Sequence, residues 1–63
     1  MKYKIKCCIA KKEKIKFAET LKDAEEKFDA FVNLKKKGEI TVFLLENTFG
    51  EIYKVIKQKV IIN

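Results

Sequence analysis

Hydrophobic and polar residues alternate along the first part of the chain. Every odd position from 3 to 9 is apolar, and most of the even positions between them hold lysine. Such alternation is typical of a half-buried β-strand. After a polar stretch, Ile15 and Phe17 alternate with lysines in the same way. The pattern therefore predicts two strands, at about residues 2–9 and 13–18, that form a hairpin.

A helical pattern follows, in which apolar residues recur every three to four positions. Thr20 is the predicted N-cap, and Asp23 three residues later can complete a capping box. The lysines at 35–37 suit the negative end of a helix dipole, and Gly38 suits the position after a helix end. These signals predict a helix over about residues 20–37. Its apolar stripe consists of Leu21, Ala24, Phe28, Phe31 and Val32.

Alternation returns after Gly38 and predicts strands at about 39–46 and 51–58. In the first of these strands both sides carry apolar residues, which favours a central strand or one that meets a partner. The segment 60–62 either extends the last strand or folds over the sheet. We therefore predict one α+β domain over residues 1–63, in the order ββαββ. One helix packs on one face of a mostly antiparallel sheet.

Every positively charged side chain of the protein is a lysine. The 63 residues include 15 lysines and no arginine or histidine, against nine acidic residues, so the net charge is +6. The absence of histidine removes the commonest general base and metal ligand, and serine, a common nucleophile, is also absent. We expect no enzymatic activity, no catalytic or metal-binding residue and no cofactor.

The two cysteines, Cys7 and Cys8, are adjacent. Neighbours on a strand point to opposite faces, so a disulfide between them would need a distorted backbone. We expect one buried and one half-exposed thiol, as suits a reducing cytosol. No apolar run approaches the roughly 18 residues of a membrane span, and the N-terminus lacks the apolar region of a secretory signal. We therefore predict a cytoplasmic protein with no membrane partner.

The lysines of the first hairpin form one candidate surface. Its functional interpretation is phosphate binding, with Phe43 or Tyr53 stacking bases. Without arginine, bidentate reading of guanine is excluded, so binding would be nonspecific in sequence and sensitive to salt. The alternative is a solvated strand face whose lysines oppose aggregation. The candidate phosphate-binding residues are Lys2, Lys4, Lys6, Lys12, Lys14 and Lys16.

A second candidate surface is apolar and includes Phe43, Leu45 and Tyr53. If Ile40 and its alternate neighbours pack against the helix, Phe43 and Leu45 lie on the other face of the sheet. An exposed apolar patch indicates a protein partner or a homodimer. The alternative is that residues 60–62 cover the patch. The acidic helix residues Glu19, Glu25, Glu26 and Asp29 dock a basic partner, bind a metal ion weakly through their carboxylates, or form an ordinary solvated face.

One resemblance covers most of the chain, about residues 15–56. The residues that carry it are Phe17, Thr20, Leu21, Ala24, Glu25, Phe28, Gly38, Val42, Leu44 and Gly50-Glu51-Ile52. In their order they resemble small accessory proteins of phages and mobile elements in low-GC bacteria. The resemblance implies an accessory role, in which the protein docks on and modulates a host or defence protein or nucleoprotein, as anti-CRISPR inhibitors do. It assigns no functional residue, and the basic charge departs from the acidic surface of a DNA mimic. The alternative function is direct nucleic-acid binding through the lysine-rich hairpin.

Overall fold

The computed structural model describes residues 2–63, which form four strands and one helix. The predicted α+β fold and the order ββαββ are confirmed. The first two strands are β1 (Tyr3–Ile9) and β2 (Lys12–Ala18), the helix is α1 (Leu21–Val32), and the last two strands are β3 (Glu39–Phe49) and β4 (Ile52–Ile62).

The strands form one sheet in the order β2-β1-β3-β4, and every neighbouring pair is antiparallel. Since β2 and β3 both run antiparallel to β1, they are parallel to each other on its two sides. The chain must therefore cross β1 between them, and α1 makes that crossing over one side of the sheet. We call that side the helix face and the other side the open face. Residues paired across strands share a face, so the register assigns each side chain to one of them.

The hydrophobic core lies between α1 and the helix face. It is formed by the odd residues of β1 that the alternation had marked as apolar and by their partners on β3. Phe28 of α1 is the largest of the fully buried side chains. The core residues are Tyr3, Ile5, Cys7, Ala18, Ala24, Phe28, Phe31, Ile40, Val42 and Leu44.

The start of α1 agrees with the prediction. Thr20 is the N-cap, and its hydroxyl oxygen accepts a hydrogen bond from the backbone N–H of Asp23 at 3.2 Å. The carboxylate of Asp23 accepts from the Lys27 ammonium one turn later, at 2.7 Å. Leu21 is the exception in the predicted apolar stripe, because 46% of its surface remains exposed.

The end of α1 differs from the prediction. The helix stops at Val32, with Asn33 as C-cap, instead of continuing to residue 37. A longer helix would place Lys35 on the stripe that Phe28 and Phe31 bury, since these positions are seven and four residues apart. By stopping early, the chain packs Leu34 against the core instead. The run of lysines at 35–37 therefore lies outside the helix.

Gly38 also has a different role from the one predicted. Its φ of +100° is a left-handed conformation, but it lies immediately before β3 and not at the helix end. The backbone groups of Gly38 and Asn63 exchange hydrogen bonds at 3.3 and 3.0 Å. The Asn63 amide group also donates to the Lys36 carbonyl oxygen at 2.8 Å. Gly38 therefore helps to fix the end of the chain beside β3.

The β3–β4 hairpin is longer than predicted. Residues 60–62 belong to β4, so they do not fold over the open face. The two strands pair with an irregularity at Ile56, since Leu44 faces Lys57 and Leu45 faces Val55. A two-residue turn at 50–51 closes the hairpin, and its glycine has a φ of +59°. Glycine at the first turn position is the usual choice for such a hairpin.

The turn between β1 and β2 also has two residues, Ala10 and Lys11, but no glycine. Ala10 has a φ of +56°, the left-handed region that side chains with a Cβ rarely adopt. The pairing of β1 with β2 holds this turn in place, since Ile9 pairs directly with Lys12 on its other side. The pairing between β1 and β2 therefore offsets the backbone strain at Ala10.

We expect Ala10→Gly to stabilise the protein. A left-handed alanine is strained by about 1–2 kcal/mol, and the greater freedom of glycine in the unfolded chain offsets about 0.4–1 kcal/mol of the relief. The net gain in the free energy of unfolding is about 0.5–1 kcal/mol. It is measured as a higher urea midpoint with an unchanged slope. Gly50→Ala is the matched control and lowers the midpoint, and a lower midpoint for Ala10→Gly would contradict the assigned turn.

Candidate interaction surface

The open face is built as rows of side chains that run across the four strands. In one row, Lys4 of β1 lies between Phe17 of β2 and Leu45 of β3, and Val55 of β4 follows Leu45. Adjacent side chains in such a row have Cβ atoms about 4.5–5.5 Å apart. The row therefore brings one lysine into contact range of an aromatic ring on one side and an aliphatic side chain on the other.

The next row repeats this arrangement. Lys6 of β1 lies between Ile15 of β2 and Phe43 of β3. The Lys6 ammonium is 3.4 Å from the carboxylate of Glu13, the neighbouring open-face residue of β2. Both partners are partly exposed, so this ion pair contributes at most about 1 kcal/mol. It orients the lysine along the sheet without removing it from solvent.

Tyr53 and Val60 extend the surface on β4. The Lys4 ammonium lies 5.4 Å from the centre of the Tyr53 ring, a cation–π contact that joins β1 to the far edge of the face. Val60 pairs with Thr41, which in turn pairs with Cys8. The structure thus brings together the predicted partner-binding residues Phe43, Leu45 and Tyr53 with Lys4 and Lys6.

No element covers the open face within residues 2–63. Phe17, Ile15, Val55 and Val60 are all exposed, and Phe17 retains 42% of its surface. The chain exposes 4650 Å², whereas a compact protein of 7.4 kDa exposes about 4,200 Å². The excess is consistent with a sheet that is packed on one side only. The prediction included neighbouring isoleucine and valine side chains without naming them, and Phe17 was not predicted as part of this surface.

The six candidate phosphate-binding lysines do not form one surface. Lys12, Lys14 and Lys16 pair with core residues of β1 and therefore lie on the helix face. The Lys16 ammonium is 5.2 Å from the centre of the Phe31 ring of α1. Lys4 and Lys6 belong to the alternate positions of β1, whose side chains point to the other side, and Lys2 lies before the strand. The predicted set is thus split between the two faces of the sheet.

Some of the acidic residues in and just before α1 have partners on the strands. On the β4 side, the Lys57 ammonium is 4.9 Å from the centre of the Phe28 ring and 3.9 Å from the Glu25 carboxylate. The carboxylate of Glu19, just before the helix, accepts a hydrogen bond from the backbone N–H of Lys2 at 2.9 Å. Part of the acidic charge is therefore matched within the chain.

The two cysteines have the different environments that their alternation predicts. Cys7 is buried in the core, and Cys8 is half-buried on the open face between Glu13 and Thr41. Burial raises the pKa of the Cys7 thiol, and the neighbouring Cys8 raises this pKa further, whereas Lys14 lowers it. A buried thiol with a raised pKa is a poor nucleophile.

No protein-family model, curated protein or solved structure matches this chain. The helix formed within residues 2–63 is too short and too polar to cross a membrane. Over the same residues there is no group of three or more side chains that could hold a metal ion, and no pocket.

We expect the two thiols to react at very different rates in the folded protein. The half-buried Cys8 should be alkylated by iodoacetamide without unfolding, whereas Cys7 should react more than about a hundredfold more slowly, because its exposure requires opening of the core. Mass spectrometry counts one modified thiol in the native state and two in denaturant. The Cys8→Ala variant should lose the fast reaction. Equal rates in the native protein would contradict the burial of Cys7.

Proposed function

We propose that this protein is a non-catalytic, cytoplasmic binding protein that docks on a host or defence protein or nucleoprotein. It would act as an accessory or inhibitory factor of the anti-CRISPR kind. The observation that supports this proposal is the open face, where apolar side chains of β2 and β4 remain exposed beside the half-buried Phe43 and Leu45 of β3. A contiguous exposed apolar surface on a small protein is characteristic of a site that meets a partner.

The groups available for chemistry support a binding role. The chain has no histidine to act as a general base and no serine to act as a nucleophile. The Cys7 thiol lies in the core with a raised pKa, where no substrate can reach it. Both cysteines are free, which agrees with a reducing cytosol.

Two copies of the chain paired through their open faces would also cover the apolar surface, so a homodimer is the simplest competing use of it. The other alternative, nucleic-acid binding through the lysine hairpin, would need a surface that the split of the six lysines does not provide. Any nucleic-acid contact on the open face has to use Lys4 and Lys6 and not the lysines of β2.

Affinity capture from the lysate of a low-GC bacterial host tests the docking proposal. The lysate is treated with or without nuclease, and the amount of captured target is compared between the wild type and Phe17→Thr. We expect a defined target to be retained by the wild type and reduced about thirtyfold by the variant, since loss of an aromatic interface anchor costs about 2 kcal/mol or more. Threonine keeps the strand propensity of the position while removing the ring.

The matched control is Leu21→Gln. Leu21 exposes 46% of its surface, close to the 42% of Phe17, but it lies on the helix side of the sheet. Its loss should leave capture unchanged. Equal capture by the wild type and both variants, each shown to be folded by circular dichroism, would contradict docking through the open face.

A further inference from the structure

The arrangement of charge on the open face is informative about its occupant. Protein–protein interfaces have an apolar centre and a polar rim, and lysine is depleted from the centre. Here lysine is not confined to the rim, because Lys4 and Lys6 lie on the inner strand β1, between apolar side chains of the edge strand β2 and of the other inner strand β3. A neutral apolar partner would bury two ammonium groups in the middle of its contact.

A second copy of the chain fits this surface poorly for the same reason. Two open faces packed against each other would bring four lysines together, and among the residues that the structure describes only Glu13 forms an ion pair with one of these lysines. The whole protein already carries a net charge of +6. Repulsion and desolvation of the lysines would therefore oppose the apolar gain.

The aromatic rings favour one kind of anionic partner. Phe17 lies next to Lys4 in one row, and Phe43 lies next to Lys6 in the following row. From the spacing of strands and of alternate residues, the two rings are about 12 Å apart, so each can stack a different base. Single-stranded nucleic acids are bound in this manner, with bases on aromatic side chains and phosphates on neighbouring cations.

We infer that the open face binds single-stranded nucleic acid, with Phe17 and Phe43 stacking bases and Lys4 and Lys6 contacting the adjacent phosphates. The inference rests on the proposed docking role of this face and names the part of a nucleoprotein target that the face contacts. Tyr53, in its contact with Lys4, extends the stacking surface toward β4. Without arginine the site lacks bidentate base recognition, so it discriminates single strands from duplex and not one sequence from another.

Fluorescence anisotropy with a labelled oligothymidine of about 12 nucleotides, a length within the range bound by small single-strand modules, tests the inference directly. We expect binding that weakens steeply between about 50 and 200 mM salt. A duplex of the same length should bind at least about tenfold more weakly, because its bases cannot reach the rings. Phe43→Leu, which keeps an apolar side chain but removes the ring, should also weaken binding about tenfold or more.

Two double variants with the same change in net charge distinguish binding at the open face from nonspecific electrostatic attraction to a basic protein. Lys4→Gln with Lys6→Gln removes cations from the open face, and Lys12→Gln with Lys14→Gln removes them from the helix face. The first should weaken binding and lower the salt slope by about 1.4, since each phosphate contact to a single strand contributes about 0.7. The second should leave the slope nearly unchanged.

A gain of affinity is also expected. The Glu13 carboxylate holds the Lys6 ammonium at 3.4 Å and would repel a phosphate beside it. Glu13→Gln frees the lysine and removes the repulsion, so the oligonucleotide should bind several-fold more tightly at low salt. A variant that binds better than the wild type cannot owe its effect to unfolding.

Any of four results would overturn the inference. One is equal affinity for single strand and duplex, and another is equal loss of affinity in the two lysine double variants. The third is absence of oligonucleotide binding while nuclease-resistant capture of a protein still depends on Phe17, which would leave the docking proposal standing. Sedimentation shows whether a stable dimer covers the face, and a dimer that resists dissociation by oligothymidine would likewise overturn the inference.

Discussion

The length of one turn determines which side chains form the open face. Because Ala10 and Lys11 make a two-residue turn, odd residues of β1 pair with even residues of β2. A turn longer by one residue would shift the register and move every side chain of β2 to the other face. Ile15 and Phe17 would then pack beside the core, and the lysines of both strands would share a surface. The left-handed backbone of Ala10 is what keeps the shorter turn.

The length of this turn also explains why part of the candidate site could not be predicted from the sequence. The alternation of β3 places Phe43 and Leu45 on one face together, because that signal is contained within one strand, but both faces of β3 are apolar and their assignment to the open face stayed conditional. The faces of Lys12, Lys14 and Lys16 depend on how β2 pairs with β1. An alanine in the left-handed region leaves no mark in the sequence, whereas a glycine at position 10 would have indicated the turn. The error was therefore one of register and not of secondary structure.

The order and type of the secondary structure elements were easier to predict, because the sequence signals for them are local. The N-cap Thr20 and the period of the apolar stripe define the start of α1 in any context. The helix end is different, since competition between Leu34 and Lys35 for the core decides it. The extra length of β3 and β4 also depends on their pairing with each other. Local patterns fix the identity of an element, and tertiary contacts fix where it stops.

The irregularity at Ile56 has a consequence for how the protein behaves at high concentration. β4 is an edge strand of 11 residues, and a straight edge of that length would be a template on which further chains could add strand by strand. A bulge interrupts the ladder of free backbone groups and increases the local twist. Lys54, Lys57 and Lys59 add charge along the same edge. The sheet can thus keep one face bare for a ligand while its edge resists growth into a fibril.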